Sequence, residues 1–305
     1  MGLPAAELVL GNLADKRTSG EKSLPWAGAS FYSRFGPDSR EARESPGRPF
    51  AGDTASFYAR YRRAYPPELI SRLREFSRGG RGRLLDLGCG TGQLLLQLAG
   101  FFEQAVGIDP EPDMLREARR IAHEQQLANT EWMTGGSTDL RTLEPVLGRF
   151  DLVTIGTAFH FMDAPVVLGD LQRVAAGGAV AVAYNGAPMW LQSDPWAQEL
   201  RSVLQSRLGP LSDGDFTTEA LQAAEETMRD LGYTSVERWE QINAETIDVD
   251  FIVGHILSAT STDQIPPDDR TAFAEEVRAA ITALEPSGRV VETVPVRAVI
   301  GHTTA

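Results

Sequence analysis

The chain has 305 residues, of which 42% are hydrophobic, and it carries a formal net charge of −13. This length is sufficient for one large domain or two, with a sizeable core. The excess of acidic residues disfavours a nucleic acid as partner, because such binding depends on Lys and Arg neutralising phosphates. The single cysteine, Cys89, excludes a disulfide framework within the chain. We find neither an apolar run of the ~18 residues that cross a bilayer nor a secretory signal, and therefore expect a cytoplasmic protein that does not enter membranes.

The N-terminal region divides into an arm and a lid. Residues 1–50 are rich in Gly, Ser, Pro, Arg and Glu without a sustained apolar period, which predicts a flexible arm. Residues 51–78 contain tyrosines and arginines from Tyr58 to Tyr65, followed by a proline pair and a helix predicted to continue to about Phe76. The aromatic side chains of this segment either close over a bound ligand as a lid or pack on the surface of the domain.

The remainder of the chain alternates between strand and helix patterns, which is typical of a doubly wound α/β fold. We predict an α/β core with a mostly parallel seven-stranded sheet, its ligand-binding part over residues 79–185. Residues 186–305 are predicted to supply a helical substrate cap, C-terminal helices and the closing strands. The predicted strands are 83–87, 105–109, 130–133, 150–156, 179–184, 234–241 and 290–301. The predicted helices are 91–100, 112–126, 164–175, 193–207, 217–231 and 268–284.

Two strand ends carry the features of a nucleotide site. The buried strand Leu84–Leu87 breaks into the glycine loop Gly88–Gly92, and a second strand ends about twenty residues later at Asp109. Glycines allow the backbone to approach a ligand, and an acid after the second strand can bind ribose hydroxyls. A dinucleotide fingerprint would keep acids away from the loop and place a third glycine where this chain has Gln93. Asp86 suits instead a cationic ammonium and sulfonium ligand, and S-adenosylmethionine fits this description.

With these motifs the chain resembles the class I S-adenosylmethionine-dependent methyltransferases. Their D-x-G-x-G-x-G loop is matched at residues 86–92, and their ribose-binding acid is matched by Asp109. The resemblance covers roughly residues 56–185 and implies a Rossmann-like core, an antiparallel hairpin formed by the two late strands, and S-adenosylmethionine as cofactor. The cofactor-binding residues predicted from it are Tyr58, Asp86, Gly88, Cys89, Gly90, Gly92, Asp109, Pro110, Met114, Ser137, Thr138, Asp139, Gly156 and Thr157.

The adenine end departs from the pattern of this family. The family commonly has an acid shortly after the third strand to meet the adenine amine, but Gly136 and Ser137 occupy that place here. Either Asp139 points inward instead, or backbone groups at Ser137 and Thr138 recognise the base. Met114, which follows the ribose-binding acid, either lies beside the adenine or fills the core.

The fourth predicted strand ends in the segment Thr157–Asp163, which matches the family's F-H-aromatic-x-D pattern. Because open parallel sheets bind ligands at the carboxyl ends of their strands, this segment places His160 beside the transfer site. His160 is the candidate general base or nucleophile-orienting group, since imidazole titrates near neutral pH. Its two flanking phenylalanines equally suit a core histidine that donates one hydrogen bond to a backbone carbonyl. The four histidines are scattered, so no metal site is predicted.

These features predict a methyltransferase that transfers the methyl group of S-adenosylmethionine to an oxygen or nitrogen of a small-molecule acceptor. A specialised cap on a generic core favours secondary-metabolite, antibiotic-type biosynthesis by analogy with the family. One alternative is an NAD(P)-dependent oxidoreductase, which Asp86 and Gln93 disfavour, and the other is a catalytically inactive cofactor-binding regulatory protein. The candidate substrate residues are Tyr61, Tyr65, Phe159, Phe161, Trp190 and His255.

Overall fold

The computed structural model describes Phe50, residues 52–260 and residues 264–304. The predicted flexible arm, residues 1–50, lies outside the described residues except for Phe50. The strands are β1 (Arg83–Leu87), β2 (Gln104–Asp109), β3 (Thr130–Thr134), β4 (Leu152–Gly156), β5 (Ala179–Asn185), β6 (Ser235–Asp248) and β7 (Arg289–His302). The helices are α1 (Asp53–Tyr61), α2 (Pro67–Leu73), α3 (Leu95–Ala99), α4 (Pro112–Glu124), α5 (Leu140–Leu147), α6 (Ala164–Val174), α7 (Pro195–Leu208), α8 (Phe216–Asp230), α9 (Val249–Leu257) and α10 (Arg270–Leu284).

All seven strands belong to one sheet with the order β3-β2-β1-β4-β5-β7-β6. Strands β1 to β5 pair in parallel, and β7 runs antiparallel to both β5 and β6. The predicted fold class, a mostly parallel seven-stranded sheet with an antiparallel hairpin, is confirmed. This order brings the carboxyl ends of β1, β2, β4 and β5 to one edge of the sheet, where open α/β folds bind their ligands.

Both faces of the sheet are covered, as the nearly continuous apolar runs of the central strands require. Leu85 and Val153 belong to one apolar cluster, whereas Leu84 and Leu152 belong to a second cluster on the opposite face. All four side chains are fully buried. Because successive side chains of a strand point to opposite faces, this alternation fixes the register of β1 against β4 and hence the position of the loops that follow them.

Several element boundaries differ from the predicted ones. Helix α3 begins at Leu95 rather than at residue 91, because residues 88–92 are used by the glycine loop, in which Gly92 has a φ of 88°.

Helix α5 was not predicted, since Pro145 lies inside it. Strand β6 continues to Asp248, seven residues beyond the predicted end at residue 241, and helix α9 follows directly. Pairing with β7 along its full length sustains this polar strand.

Two features are absent from the residues that the structure describes. No helix within them has the length and apolar character needed to cross a bilayer. No three His, Cys, Asp or Glu side chains within them are grouped so that they could hold a metal ion.

Candidate active site

The loop after β1 is held against the end of β2 by backbone hydrogen bonds. The amides of Gly88 and Cys89 both donate to the carbonyl oxygen of Ile108, over 2.8 and 3.1 Å. Gly88 has a φ of 71°, and a Cβ at this position would lie 2.7 Å from the Cβ of Ala158. Only glycine satisfies both conditions. The loop therefore passes under the segment that follows β4 and presents its backbone to the space above the sheet.

Asp109 closes this loop from the end of β2. Its Oδ2 accepts a hydrogen bond from the amide of Gly90 at 2.8 Å, and its Oδ1 accepts one from the amide of Glu111 at 2.9 Å. Burial raises the pKa of Asp109 to about 6, although both amide bonds act to lower it. A carboxylate has about four acceptor sites, so Asp109 can hold the loop and still accept hydroxyl donors from a ligand.

A cavity of about 550 Å³, the large cavity, lies above the ends of β1, β2 and β4. Its volume is within the usual range for small-molecule sites. The predicted cofactor residues that line it are Tyr58, Gly88, Gly90, Asp109, Pro110, Met114, Ser137, Thr138, Gly156 and Thr157. Six further lining residues were not among the predicted binding residues: Phe50, Arg62, Glu111, Gly136, Ala158 and Met162. Glu111, Gly136, Ala158 and Met162 are direct neighbours of predicted positions and Arg62 belongs to the predicted lid, whereas Phe50 had no such signal.

Four of the predicted cofactor residues do not line the large cavity: Asp86 and Cys89 line a smaller cavity beside it, whereas Asp139 and Gly92 line neither. Oδ2 of Asp139 accepts a hydrogen bond from the amide of Gly136 at 2.8 Å, so this carboxylate caps its own 3₁₀ turn. Gly92 packs instead against Leu96 and Trp132, which a Cβ would approach to about 3 Å. At the adenine end, Ser137 and Thr138 line the cavity.

Two smaller cavities continue from the large cavity under the lid. The inner cavity, about 30 Å³, is lined by Asp86 and Cys89 together with Tyr65. The cap cavity, about 50 Å³, extends from the end of β5 to helices α8 and α9. Arg62 and Thr157 line all three cavities, so the three spaces meet at these two residues.

Asp86 is a buried carboxylate at the floor of the inner cavity. It is 1% exposed, and its Oδ1 accepts a hydrogen bond from the hydroxyl of Thr154 at 2.7 Å. Burial raises the pKa of Asp86 to about 7, and the negative charge of Asp109 adds to this effect. A buried acid without a cation beside it has this property, so the inner cavity favours a positively charged group. The neighbouring thiol of Cys89 also has a raised pKa because of burial, which makes it a poor nucleophile.

Thr157 stands at the junction of the cavities in a strained conformation. Its φ is 54°, a left-handed value that costs a non-glycine residue roughly 1–3 kcal/mol. Its amide donates to the carbonyl of Ala183 at 2.8 Å, and its hydroxyl lies 3.3 Å from the hydroxyl of Tyr65. These contacts fix the residue after β4 between β5 and Tyr65 of the lid. Backbone strain of this kind commonly marks a functional position.

The lid segment after α1 is attached to the core by side chains that no motif had indicated. Nδ2 of Asn185 donates to the carbonyls of Arg63 and Ala64, at 3.2 and 2.8 Å. The side-chain amide of Gln97 exchanges two hydrogen bonds with the backbone of Tyr65, at 2.8 and 2.9 Å. These bonds join residues that are far apart in the sequence, so they became visible only with the fold.

The guanidinium of Arg63 forms ion pairs with two carboxylates of the β6–β7 hairpin. It pairs with Glu245 at 2.8 Å and also with Glu292, whose side chain is 1% exposed. The side chain of Arg63 itself is 7% exposed. These two ion pairs therefore link the lid to the turn end of the β6–β7 hairpin, and the carboxylates neutralise the charge of Arg63.

His160 lies close to the cavities but lines none of the three. Its backbone amide donates to the hydroxyl of Tyr184 at 3.1 Å, and its Nδ1 is 2.9 Å from the same oxygen. Burial and the positive charge of Arg62 lower the pKa of His160 to about 3. A general base works best with a pKa near the operating pH. The partner of the His160 ring is thus the hydroxyl of Tyr184 and not the backbone carbonyl of the second interpretation, and the role of His160 in the reaction stays a prediction.

Four of the predicted substrate residues reach the cavities. Tyr65 lines the inner cavity, His255 lines the inner and cap cavities, and Trp190 lines the cap cavity. Phe161, which is 43% exposed, lines the large cavity, and its ring lies 6.2 Å from that of Phe50.

Two predicted substrate residues lie elsewhere. Tyr61 stacks on Phe57 with ring centroids 6.0 Å apart and packs closely on Gly254 of α9, where a Cβ would overlap its ring. Phe159 is 1% exposed and belongs to the core. Both lie outside the three cavities, because each side chain serves the packing of the segment that carries it.

Comparisons with known proteins show similarity to methyltransferases. Residues 84–178 match the family model described as the methyltransferase domain. An uncharacterized methyltransferase of Mycobacterium tuberculosis is 29% identical over 163 residues, which cover 53% of this chain and 61% of the relative. A protein of Saccharomyces cerevisiae described as a probable S-adenosylmethionine-dependent methyltransferase is 30% identical over 108 residues, which cover 35% of this chain and 36% of the relative.

The matches to curated relatives are partial. The aligned region spans 36% of the yeast protein and 61% of the mycobacterial one. Among solved structures, phosphoethanolamine N-methyltransferase 2 of Haemonchus contortus in complex with S-adenosyl-L-methionine has a TM-score of 0.45 and 16% sequence identity. That likeness covers 83% of this chain and 56% of the other.

Proposed function

We propose that the protein transfers the methyl group of S-adenosylmethionine to an oxygen or nitrogen of a small organic acceptor, because residues 84–178 match the family model of a methyltransferase domain. The observation that carries this proposal is the meeting of the three cavities at Arg62 and Thr157. A donor held above the glycine loop and an acceptor held under the cap would meet at these two residues.

The residues around the large and inner cavities fit S-adenosylmethionine. Asp86 offers a buried carboxylate to the ammonium group, and Asp109 offers acceptor oxygens to the ribose hydroxyls. Met114 is 3% exposed and gives an apolar surface to the adenine, so it belongs to the core and also faces the ligand space. Asp86 stands beside the glycine loop, and Gln93 occupies the position of the third glycine of a dinucleotide fingerprint, which disfavours a dinucleotide.

The protein's own contribution to methyl transfer is positioning. When bound, S-adenosylmethionine supplies a methyl group on a positively charged sulfur. In-line displacement then requires the nucleophile and the methyl carbon to be held at attack distance in alignment. His160 would act as a positioning residue in this process. By bonding to Tyr184 of β5 it fixes the turn that presents Phe161 and Met162 to the large cavity.

We place the acceptor among small molecules of secondary, antibiotic-type metabolism. The small volume of the cap cavity, about 50 Å³, and its aromatic walls of Trp190 and Phe216 support a compact organic acceptor. The net charge of −13 disfavours nucleic acids as substrates.

The proposal is tested by measuring release of S-adenosylhomocysteine from S-adenosylmethionine over hydroxyl, amine, carboxylate and activated-carbon acceptors. We expect turnover on one class. We also expect Gly88→Ala to abolish it, because the new Cβ would meet Ala158 at 2.7 Å. Gly169→Ala is the matched control. This position lies in α6 with open space around its Cβ, and the change should stabilise the protein by about 0.5–1 kcal/mol.

Other outcomes of the same assay identify the alternatives. Binding of S-adenosylhomocysteine without turnover on any class would indicate a catalytically inactive cofactor-binding protein. Oxidation of NADH or NADPH in the absence of a methyl donor would indicate an oxidoreductase. Either result would contradict the proposed function.

A further inference from the structure

His255 lies at the junction of the inner cavity and the cap cavity. It belongs to α9 and lines both spaces, whereas Tyr65 lines only the inner cavity and Trp190 only the cap cavity. The inner cavity has Asp86 at its floor, on the side of the donor, and the cap cavity extends away from it toward α8. Of the predicted substrate residues, His255 is therefore the one that stands between the places proposed for the two reactants.

The ring of His255 is held in one orientation and one tautomer. Its Nδ1 lies 3.3 Å from the carbonyl oxygen of Tyr61, and because a carbonyl can only accept, Nδ1 carries the ring proton. The lone pair is therefore on Nε2. Within the part of the chain that the structure describes, no group forms a hydrogen bond with Nε2, and this atom is not completely buried. Nε2 is thus open to the two cavities that the ring lines.

The charge state of His255 makes Nε2 a hydrogen-bond acceptor at every working pH. Burial, with the positive charges of Arg62 and Arg63, holds the pKa of His255 well below its usual value, so the imidazole is neutral. A neutral imidazole with its proton on Nδ1 accepts at Nε2 and cannot donate there. The ligand group opposite Nε2 must therefore have a hydrogen to donate, which a carboxylate or a carbonyl oxygen lacks.

The surrounding charges favour a hydroxyl over an amine as this donor group. A simple alkyl amine is an ammonium ion at neutral pH, since its pKa is about 10. Arg62 at the same junction and the sulfonium of the donor are both cations, and they disfavour a further cation beside them. His255 is too weak a base to remove the proton of an ammonium group. A hydroxyl group is neutral and meets neither obstacle.

The cap cavity limits the size of the group that reaches His255. Its volume is about 50 Å³. At roughly 10–15 Å³ for each water-sized group, it holds about four such groups. A hydroxyl group and three neighbouring carbon atoms have this size. Trp190 and Phe216 supply apolar walls for the carbon atoms.

We propose that His255 binds the acceptor, and that the reacting group is a neutral hydroxyl on a compact carbon skeleton, which donates its hydrogen to Nε2. This inference rests on the proposed function, since it names the acceptor group of that reaction. The hydroxyl oxygen attacks the sulfonium methyl carbon. A C–O bond forms, the C–S bond breaks with its electron pair going to sulfur, and the hydroxyl proton passes to Nε2 and then to solvent.

The low basicity of His255 is compatible with this step. The oxygen becomes positively charged as the C–O bond forms, so its proton becomes strongly acidic and even a weakly basic imidazole can take it. The products are a methyl ether and S-adenosylhomocysteine. The main contribution of His255 is to hold the oxygen in line with the methyl carbon.

The test uses four probes with four non-hydrogen atoms each, namely 2-propanol, acetone, acetate and isopropylamine. 2-Propanol and acetone have similar shapes, but only 2-propanol can donate a hydrogen bond. Binding of each probe to the full chain saturated with S-adenosylhomocysteine is measured by NMR, together with the nitrogen resonances of the His255 ring. Transfer of a deuterated methyl group from S-adenosylmethionine to each probe is followed by mass spectrometry.

Two variants and a control accompany the wild type. His255→Phe keeps an aromatic ring but has no acceptor atom, and His255→Gln offers an amide oxygen that can accept. The matched control is His123→Gln, which changes an exposed histidine of α4. Affinity for S-adenosylhomocysteine should stay within about threefold of the wild type in all three variants.

We expect Nε2 of His255 to be unprotonated between pH 6 and pH 9 and its resonance to shift with 2-propanol but not with acetone or acetate. Isopropyl methyl ether should form from 2-propanol. His255→Phe should weaken binding of 2-propanol at least about fivefold, as loss of a buried hydrogen-bond partner does, and should lower ether formation by at least as much. His255→Gln should be intermediate, and His123→Gln should match the wild type.

Three results would overturn the inference. The first is that 2-propanol fails to bind the complex or binds no better than acetone. The second is methyl transfer to isopropylamine or acetate without transfer to 2-propanol. The third is an equal loss of S-adenosylhomocysteine affinity in His255→Phe, which would mean that His255 serves the donor. Failure of the wild-type protein to bind S-adenosylhomocysteine would instead defeat the proposed function, so the two failures are distinguishable.

Discussion

Burial determines the protonation states of Asp86 and His160, and with them the chemical roles open to each residue. Asp86 is buried and His160 is partly buried, and each has its pKa displaced toward the uncharged form, to about 7 and about 3. A neutral carboxyl can become charged when a cation arrives beside it. The neutral imidazole of His160 is instead held by its contact with the hydroxyl of Tyr184, which fits a positioning role. The sequence predicted both positions but not this difference, because the difference depends on the surrounding atoms.

The state of Asp86 predicts how ligand affinity depends on pH. Its folded-state pKa of about 7 lies above the usual 3.8, so this group stabilises the unbound protein at low pH and the contribution is lost as pH rises through 7. Binding of an ammonium group requires the carboxylate. Affinity for S-adenosylhomocysteine should therefore fall by up to about tenfold per pH unit below 7 and level off above 8.

Calorimetric titration with S-adenosylhomocysteine between pH 5 and pH 8.5 measures this dependence. Asp86→Asn should bind more weakly and lose the inflection near pH 7, while the inflection due to Asp109, whose pKa is about 6, remains. An affinity in the wild type that does not change between pH 5 and pH 8.5 would contradict the assignment of Asp86 to the ammonium group.

His160 should behave as a positioning residue. We expect His160→Gln to lower kcat by less than about tenfold, where loss of a general base would cost about 100-fold or more. The ring resonance of His160, assigned by its disappearance in the variant, should not titrate between pH 5 and pH 9. A titration near pH 6.5 that coincides with an inflection in kcat would restore the role of general base.

At the scale of elements, local sequence patterns predicted the strands and most helices. The position of the lid depends instead on contacts between residues that are far apart in the sequence. The glycine loop is encoded within a few residues, so the sequence could predict it. The bond between Asn185 and the carbonyl of Arg63 spans 122 residues of sequence, and the ion pair between Arg63 and Glu292 spans 229. Neither contact has a local signature. Helix α5 was missed because its internal Pro145 is ordinarily a helix-breaking signal.

Because Asn185 attaches the lid to the core, its substitution tests whether this contact keeps the lid closed. Asn185→Ala removes two hydrogen bonds to the carbonyls of Arg63 and Ala64. At about 1 kcal/mol each, their loss should shift the lid toward an open state by roughly 30-fold. Tryptic cleavage after the arginines of the lid should accelerate accordingly, and S-adenosylhomocysteine should suppress it.

The matched control for this change is Gln198→Ala. It removes a bond of the same chemistry, from Nε2 of Gln198 to the carbonyl of Gln192 at 2.7 Å, on an exposed part of α7. Cleavage of the lid should be unchanged in this variant. Equal cleavage rates in Asn185→Ala and in the wild type would show that Asn185 does not hold the lid closed.

At the scale of the whole molecule, the order of the strands assembles the site. Because β1 lies between β2 and β4, the glycine loop, Asp109 and Thr157 share one edge of the sheet. The sequence predicted this arrangement through a resemblance that covers roughly residues 56–185. Arg62 and Asn185 lie within that region but no motif gave them a role, and the cap lies beyond it, so their contacts and the shape of the cap cavity became apparent only in the structure.

The measurement that tests the central claim most directly is calorimetric titration of the full chain with S-adenosylhomocysteine, in parallel with NADH and NADPH. We predict one site with a Kd in the range of about 1–100 μM, weakened at least about tenfold in Asp109→Asn, and no binding of either dinucleotide. Binding of NADH or NADPH with no response to S-adenosylhomocysteine would contradict the account.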